Sequence, residues 1–148
     1  MCLPAAVRGR ALPPALSRSG VLLIAHAPLA QAFVSVAEHV LGRIECPLAA
    51  LDLAADDSRE HALSVAQSLA AGMGCGDLLI LVDIHGGPSP CAVAQRLCQL
   101  WGPRARLVGG LNVAMLLTAL ECSNGEVERL AELVVEAARL GVCNCGLS

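Results

Sequence analysis

Two apolar runs of the sequence each close on a residue able to do chemistry. The run VLLIA ends in His26, and LLILV ends in Asp83 with His85 two positions further on. A glycine-rich turn, Gly86-Gly87-Pro88-Ser89, follows directly. A carboxylate that accepts the Nδ1 proton of a histidine fixes its tautomer and leaves Nε2 as a nucleophile of raised basicity, as a phosphoryl acceptor requires. The backbone N–H groups of Gly86 and Gly87 and the hydroxyl of Ser89, beside a helix N-terminus, suit a dianionic group. Plainer readings exist for each residue: a strand-end histidine held by a structural hydrogen bond, an aspartate capping a turn, a paired glycine at an ordinary βα junction. A rival constellation uses His26, Asp83 and His85 as ligands of one zinc or non-haem iron, but no fourth donor is evident. His39 and His61 fall within helical segments, where an exposed face is their default position.

The elements that must position these residues follow from hydrophobic spacing. Near-continuous apolar segments at residues 20–27, 48–53, 77–83 and 106–111 read as strands. Between them the period lengthens. Leu29, Phe33, Val36, Val40 and Leu41 predict the inward face of a helix that stops at Gly42. A second helix, capped by Asp57 or Ser58, buries Ala62, Val65, Ala66 and Leu69 and ends at Gly72, and a third spans residues 89–100. After the fourth strand come an Asn112-capped helix to about residue 120 and a last helix over 126–140. The apolar stripe of that last helix is Val127, Leu130, Leu133, Val134, Ala137 and Ala138. Four βα units in this order predict an α/β fold, a doubly wound, mostly parallel four-stranded sheet with helices on both faces. Ligands of such sheets bind beyond the carboxyl ends of the strands, where the strand order reverses. If the first and third strands are neighbours, His26 and Asp83 meet at that rim.

Composition narrows the function classes. The 148 residues suit one domain, and 55% are apolar although Phe33 and Trp101 are the only aromatic residues, so the core must be aliphatic. Ten arginines, no lysine and thirteen acids give a net charge of −3 without a basic patch, which argues against nucleic acid. Mean hydropathy is +0.64, yet no apolar run approaches the ~18 residues needed to cross a bilayer, so direct membrane insertion is not expected. Residues 1–19 hold three arginines and three prolines without a signal-peptide core and read as a disordered extension, residues 20–141 as the domain, and 142–148 as a tail. Eight cysteines without a C-x-x-C pair read as reduced thiols of a cytoplasmic protein. The C-x-C of Cys143 and Cys145 lacks the partner pair of a metal site and reads as tail thiols. Phosphate-loop, dinucleotide and serine-hydrolase motifs are absent, and no cofactor is implied.

Three separated blocks then become specific: VLLIAHAPLAQAFVSVAEHVLG, GDLLILVDIHGGPSPCAVAQRL and VGGLNVAMLLTAL. Together, over about residues 20–140, they resemble the enzyme IIA component of the mannose family of the phosphoenolpyruvate-dependent sugar phosphotransferase system. The resemblance implies that His26 takes a phosphoryl group from the phosphocarrier HPr, that Asp83 holds its imidazole, that Ser89 is the loop hydroxyl, and that Asn112 is the asparagine after the fourth strand. It implies a separate IIB protein as acceptor and pairing into a homodimer through a sheet edge and the C-terminal helices, residues 114–120 and 127–140. Two alternatives remain open: a regulatory IIA-like module whose phosphorylation state signals to a partner without sugar transport, and the phosphoryl-donor subunit of a dihydroxyacetone kinase. The chain departs from the family's loop pattern in three places, with an extra residue at Pro88, His85 at an aromatic position and Ala92 where asparagine is usual. These departures imply an altered hold on the phosphoryl group.

Overall fold

Residues 21–25 and 78–82 carry only aliphatic side chains, and all ten are fully buried. Such runs have no polar face to show to water and belong in the middle of a parallel sheet. In the computed structural model, which describes residues 18–87 and 89–146, they are the cores of β1 (Gly20–His26) and β3 (Leu78–Val82). The outer strands are β2 (Leu48–Leu53) and β4 (Ala105–Gly109), and the order β2-β1-β3-β4 is parallel throughout. The helices are α1 (Leu29–Leu41), α2 (Arg59–Gly72), α3 (Pro90–Trp101), α4 (Val113–Glu121) and α5 (Val127–Leu140). The expected α/β class and the adjacency of the first and third strands are both present.

Side chains alternate across the central strands and so divide the core into two layers. Val21, Leu23, Ala25, Leu79 and Leu81 pack with α1, α4 and α5, whereas Leu22, Ile24, Leu78, Ile80 and Val82 pack with α2 and α3. Each such aliphatic side chain contributes about 1.5–3 kcal/mol by leaving water, so the ten strand residues anchor both layers. The stripe of α5 turns inward as its spacing predicts, with Val127, Leu130 and Val134 buried.

The face of α1 is a correction. Its buried residues are Ala30, Val34 and Ala37, while Leu29, Val36 and Val40, expected inside, are 38%, 41% and 54% exposed. Phe33 and Leu41 are half-buried at the boundary. Small side chains let the helix lie close to β1 and β2, and that close packing prevails over the larger apolar residues one position away.

Arg18 and Ser19, read from sequence as the end of an extension, belong to the fold. Arg18 forms an antiparallel bridge with Asn124 and pairs with Glu45 at 2.9 Å, and the Ser19 N–H donates to the Ser123 carbonyl at 2.9 Å. Residues 1–17 of the expected extension, Pro88 of the altered loop and residues 147–148 of the tail lie outside the described residues.

Candidate functional site

The order of β2-β1-β3 reverses at β1, so the carboxyl ends of β1 and β3 lie side by side with helices leaving to opposite faces. Register carries the adjacency to the last residues: Ile24 faces Val82, which brings His26 and Asp83 together just beyond the ladder. Asp83 Oδ2 accepts the backbone N–H of His26 at 3.0 Å and meets the ring Nδ1 at 2.7 Å. Asp83 Oδ1 accepts the backbone N–H of Ile84 at 2.9 Å. The carboxylate side chain is only 8% exposed, whereas the imidazole is 56% exposed. Burial alone would raise the Asp83 carboxyl, but the His26 backbone N–H, the His26 ring and the Ile84 N–H together outweigh it and hold the group below its ordinary value. In the neutral ring an ionised carboxylate on Nδ1 makes that nitrogen the donor and leaves the lone pair on Nε2.

Asp52, which sequence reasoning did not single out, steadies the histidine's surroundings. It is the penultimate residue of β2, and its Oδ1 accepts the Ala30 N–H at 2.7 Å while Oδ2 reaches the Gln31 N–H at 3.4 Å. The first-turn N–H groups of a helix have no intrahelical acceptor, and a carboxylate there is also favoured by the helix dipole. Asp52 therefore ties α1, which starts three residues after His26, to the neighbouring strand. The only signal in the sequence was an acid inside the apolar run LAALDL.

The loop after Asp83 turns on Gly86 and Gly87, with φ of +85° and +84°, a region that side chains disfavour. The Gly86 N–H is accepted by the buried Cys91 thiol at 3.3 Å, a contact the sequence did not predict. Ser89 precedes α3, and its hydroxyl makes no capping bond to that helix. His85 is exposed and its backbone lies against β4, where a Cβ added to Gly109 would come within 2.7 Å of the His85 Cβ. Ala92 lines a groove between α2 and α3 with Arg59, Leu63 and Arg96. Asn112 is the N-cap of α4: its Oδ1 accepts the Met115 N–H at 2.9 Å, and its Nδ2 donates to the Ala138 carbonyl at 3.0 Å. Both of its polar groups thus serve the scaffold. His39 and His61 stand exposed on α1 and α2. Among the described residues no three His, Cys, Asp or Glu side chains converge as metal donors, so the rival set of His26, Asp83 and His85 does not assemble.

Leu29 at the start of α1 and Ile84 after Asp83 are 38% and 60% exposed, and a groove of about 650 Å³ lies between β4 and α5. No helix among the described residues is long and apolar enough to cross a membrane.

The fold recurs in proteins of known structure. The mannose/sorbose-specific IIA subunit of the phosphotransferase system from Enterococcus faecalis superposes with a TM-score of 0.79 at 24% identity, over 88% of this chain and 97% of that one. The phosphotransferase component EIIA from Streptococcus agalactiae gives 0.75 at 21% identity, over 84% and 95%. The PTS IIA protein associated with the fucose utilization operon of Streptococcus pneumoniae gives 0.71 at 22% identity, over 88% and 95%. At such identities the likeness speaks for the fold. No curated protein matches the sequence. The family described as EIIA-man, PTS system fructose IIA component, matches residues 20–138, most of the chain. The chain belongs to that family, the mannose-type IIA components of the sugar phosphotransferase system.

Proposed function

We propose that the protein is a cytoplasmic phosphocarrier that accepts a phosphoryl group from HPr on His26 and passes it to a separate IIB protein. The observation that carries this reading is the 2.7 Å contact between His26 Nδ1 and a nearly buried Asp83 carboxylate, with the imidazole itself half in solvent. In the forward step His26 Nε2 attacks the phosphorus of phospho-HPr, an Nε2–P bond forms, and the N–P bond of the donor breaks with its electron pair returning to the donor imidazole. No proton need leave His26. The ring becomes cationic as the bond forms, and Asp83, already ionised, stabilises that charge without taking the proton. Gly87 and Ser89 hold the phosphoryl oxygens, while the Gly86 N–H, bonded to the Cys91 thiol, shapes the turn; a Ser89 hydroxyl that makes no capping bond to α3 supports that role. Exposed Leu29 and Ile84, next to the elements that carry His26 and Asp83, offer a protein donor apolar contact area.

The functional unit is residues 20–141 with Arg18 and Ser19 sealing its amino end. We assign it a homodimeric state, supported by the outer edge of β4, which pairs with no strand among the described residues, and by the groove beside α5. Sedimentation at micromolar concentration is expected to give about twice the 15.2 kDa of the chain, and a single species of chain mass overturns the dimer. The phosphocarrier role is tested by incubating the protein with phosphoenolpyruvate, enzyme I and HPr, then measuring intact mass under basic conditions that preserve phosphohistidine. One added phosphoryl group, dependent on HPr, is the expected result, and an unchanged mass contradicts the proposal.

A further inference from the structure

Beyond α5 the chain presents two thiols to each other. Cys143 Sγ and Cys145 Sγ are 2.9 Å apart, both on exposed residues, with the Cys145 thiol also directed toward the Cys143 carbonyl at 3.8 Å. The other described cysteines differ from this pair. Cys46 and Cys91 are buried, and Cys75 and Cys98 are half-buried. Cys122 is exposed, but it makes no thiol contact among the described residues.

We propose that Cys143 and Cys145 form a reversible dithiol–disulfide pair whose reactant is a low-molecular-weight disulfide of the glutathione type. The separation is the main support, because the sulfurs need close by only about 0.9 Å to reach a bonding distance of ~2.05 Å. Exposure is the second, since an external disulfide must reach the first sulfur in line. The hydrogen bond from its neighbour raises the Cys143 thiol, as expected where two thiols share a proton. The chemistry proceeds in two exchanges. One cysteine, as thiolate, attacks a sulfur of the external disulfide, forms a mixed disulfide and expels one thiolate. The other cysteine, on losing its proton, attacks the cysteine sulfur of that mixed disulfide and expels the second thiolate. The two protein thiols are oxidised, the external disulfide is reduced to two thiols, and the two protons released by the cysteines end on them. The ring closed in this way encloses Asn144 alone.

The test uses the full chain, fully reduced and then equilibrated in glutathione buffers of rising oxidised fraction. Free thiols are trapped with a maleimide, and intact mass and peptide mapping locate the modifications. The expected product has lost two hydrogens, carries two fewer maleimides and yields a peptide linking Cys143 to Cys145, with no glutathione on either. In Cys143→Ser the resolving thiol is missing, so Cys145 should accumulate mixed disulfide at least about tenfold above wild type. Cys122→Ser should leave the linked peptide unchanged. Independent glutathione adducts on Cys143 and Cys145 in the wild-type chain overturn the proposal, as does a tail that stays reduced under buffers that modify Cys122.

Discussion

At the amino end of the sheet Ser19, Cys46 and Ser123 turn their polar atoms inward, whereas at the carboxyl end His26 stands in solvent on a carboxylate that is itself nearly buried. The inward groups are bonded to one another. The Ser19 N–H donates to Ser123, the Cys46 thiol donates to the Ser19 carbonyl at 3.4 Å, and burial raises that thiol. The Ser19 hydroxyl has no partner among the described residues, a cost tolerated where closure of the core is the task. At the opposite end Asp83, held by the Ile84 and His26 backbone N–H groups, turns Oδ2 to one exposed ring. The same aliphatic strands join both ends, so what separates the sealing end from the proposed acceptor end is which polar atom is left facing water.

Substitutions can break that contrast, and the largest effect belongs to the acceptor. His26→Ala should abolish phosphoryl uptake from HPr while lowering stability by about 1 kcal/mol or less, since the ring is mostly exposed and Asp83 keeps two backbone donors. Uptake that persists in this variant, read by intact mass, would move the site to another residue, with His85 the first to examine. The amino end should respond in the opposite way. Leu78→Ala opens a cavity at a fully buried position beside Gly20 and Ala105, and it should cost about 2–5 kcal/mol in chemical denaturation. Its folded fraction should still transfer phosphate within about twofold of wild type.

Asp83→Asn sharpens the comparison with a smaller effect. The amide keeps the shape but can turn its NH₂ toward Nδ1, so transfer should slow by roughly tenfold or more, about 1.4 kcal/mol in the barrier. A rate within about twofold of wild type would remove Asp83 from the mechanism. Its stability signature has a definite sign. Because the folded carboxyl lies below its ordinary value, its contribution is fully present above the unfolded value near ~3.9 and is lost as pH falls through the depressed folded one. Wild type and Asp83→Asn should therefore differ in stability above about pH 4 and converge below it, and parallel curves across that range would contradict the ionised pair.

Much of this architecture was legible because burial on both faces leaves an unambiguous mark. Residues 21–25 and 78–82 admit no polar side chain, and the polar residue that ends each run marks the rim. The contact of His26 with Asp83 followed once the two strands were taken as neighbours. The inward face of α1 was not legible, because two adjacent stripes, Ala30-Val34-Ala37 and Leu29-Phe33-Val36-Val40, share the helical period and only packing against the sheet chooses between them. Asp52 was hidden for a related reason. Its partners Ala30 and Gln31 are backbone donors on another element, so no side-chain motif announces the bond. The Cys91 contact to Gly86 was equally silent, since a cysteine in a helical apolar pattern reads as a small hydrophobe.

The central claim is that Asp83 holds the Nδ1 proton and leaves Nε2 of His26 as the phosphoryl acceptor. Nitrogen-15 and phosphorus-31 NMR of the protein, labelled at histidine and phosphorylated through HPr, tests this atom by atom. The predicted spectrum shows phosphorus coupled to Nε2 of His26, with Nδ1 protonated and hydrogen-bonded. Phosphorus coupled to Nδ1, or to a nitrogen of His85, would contradict it.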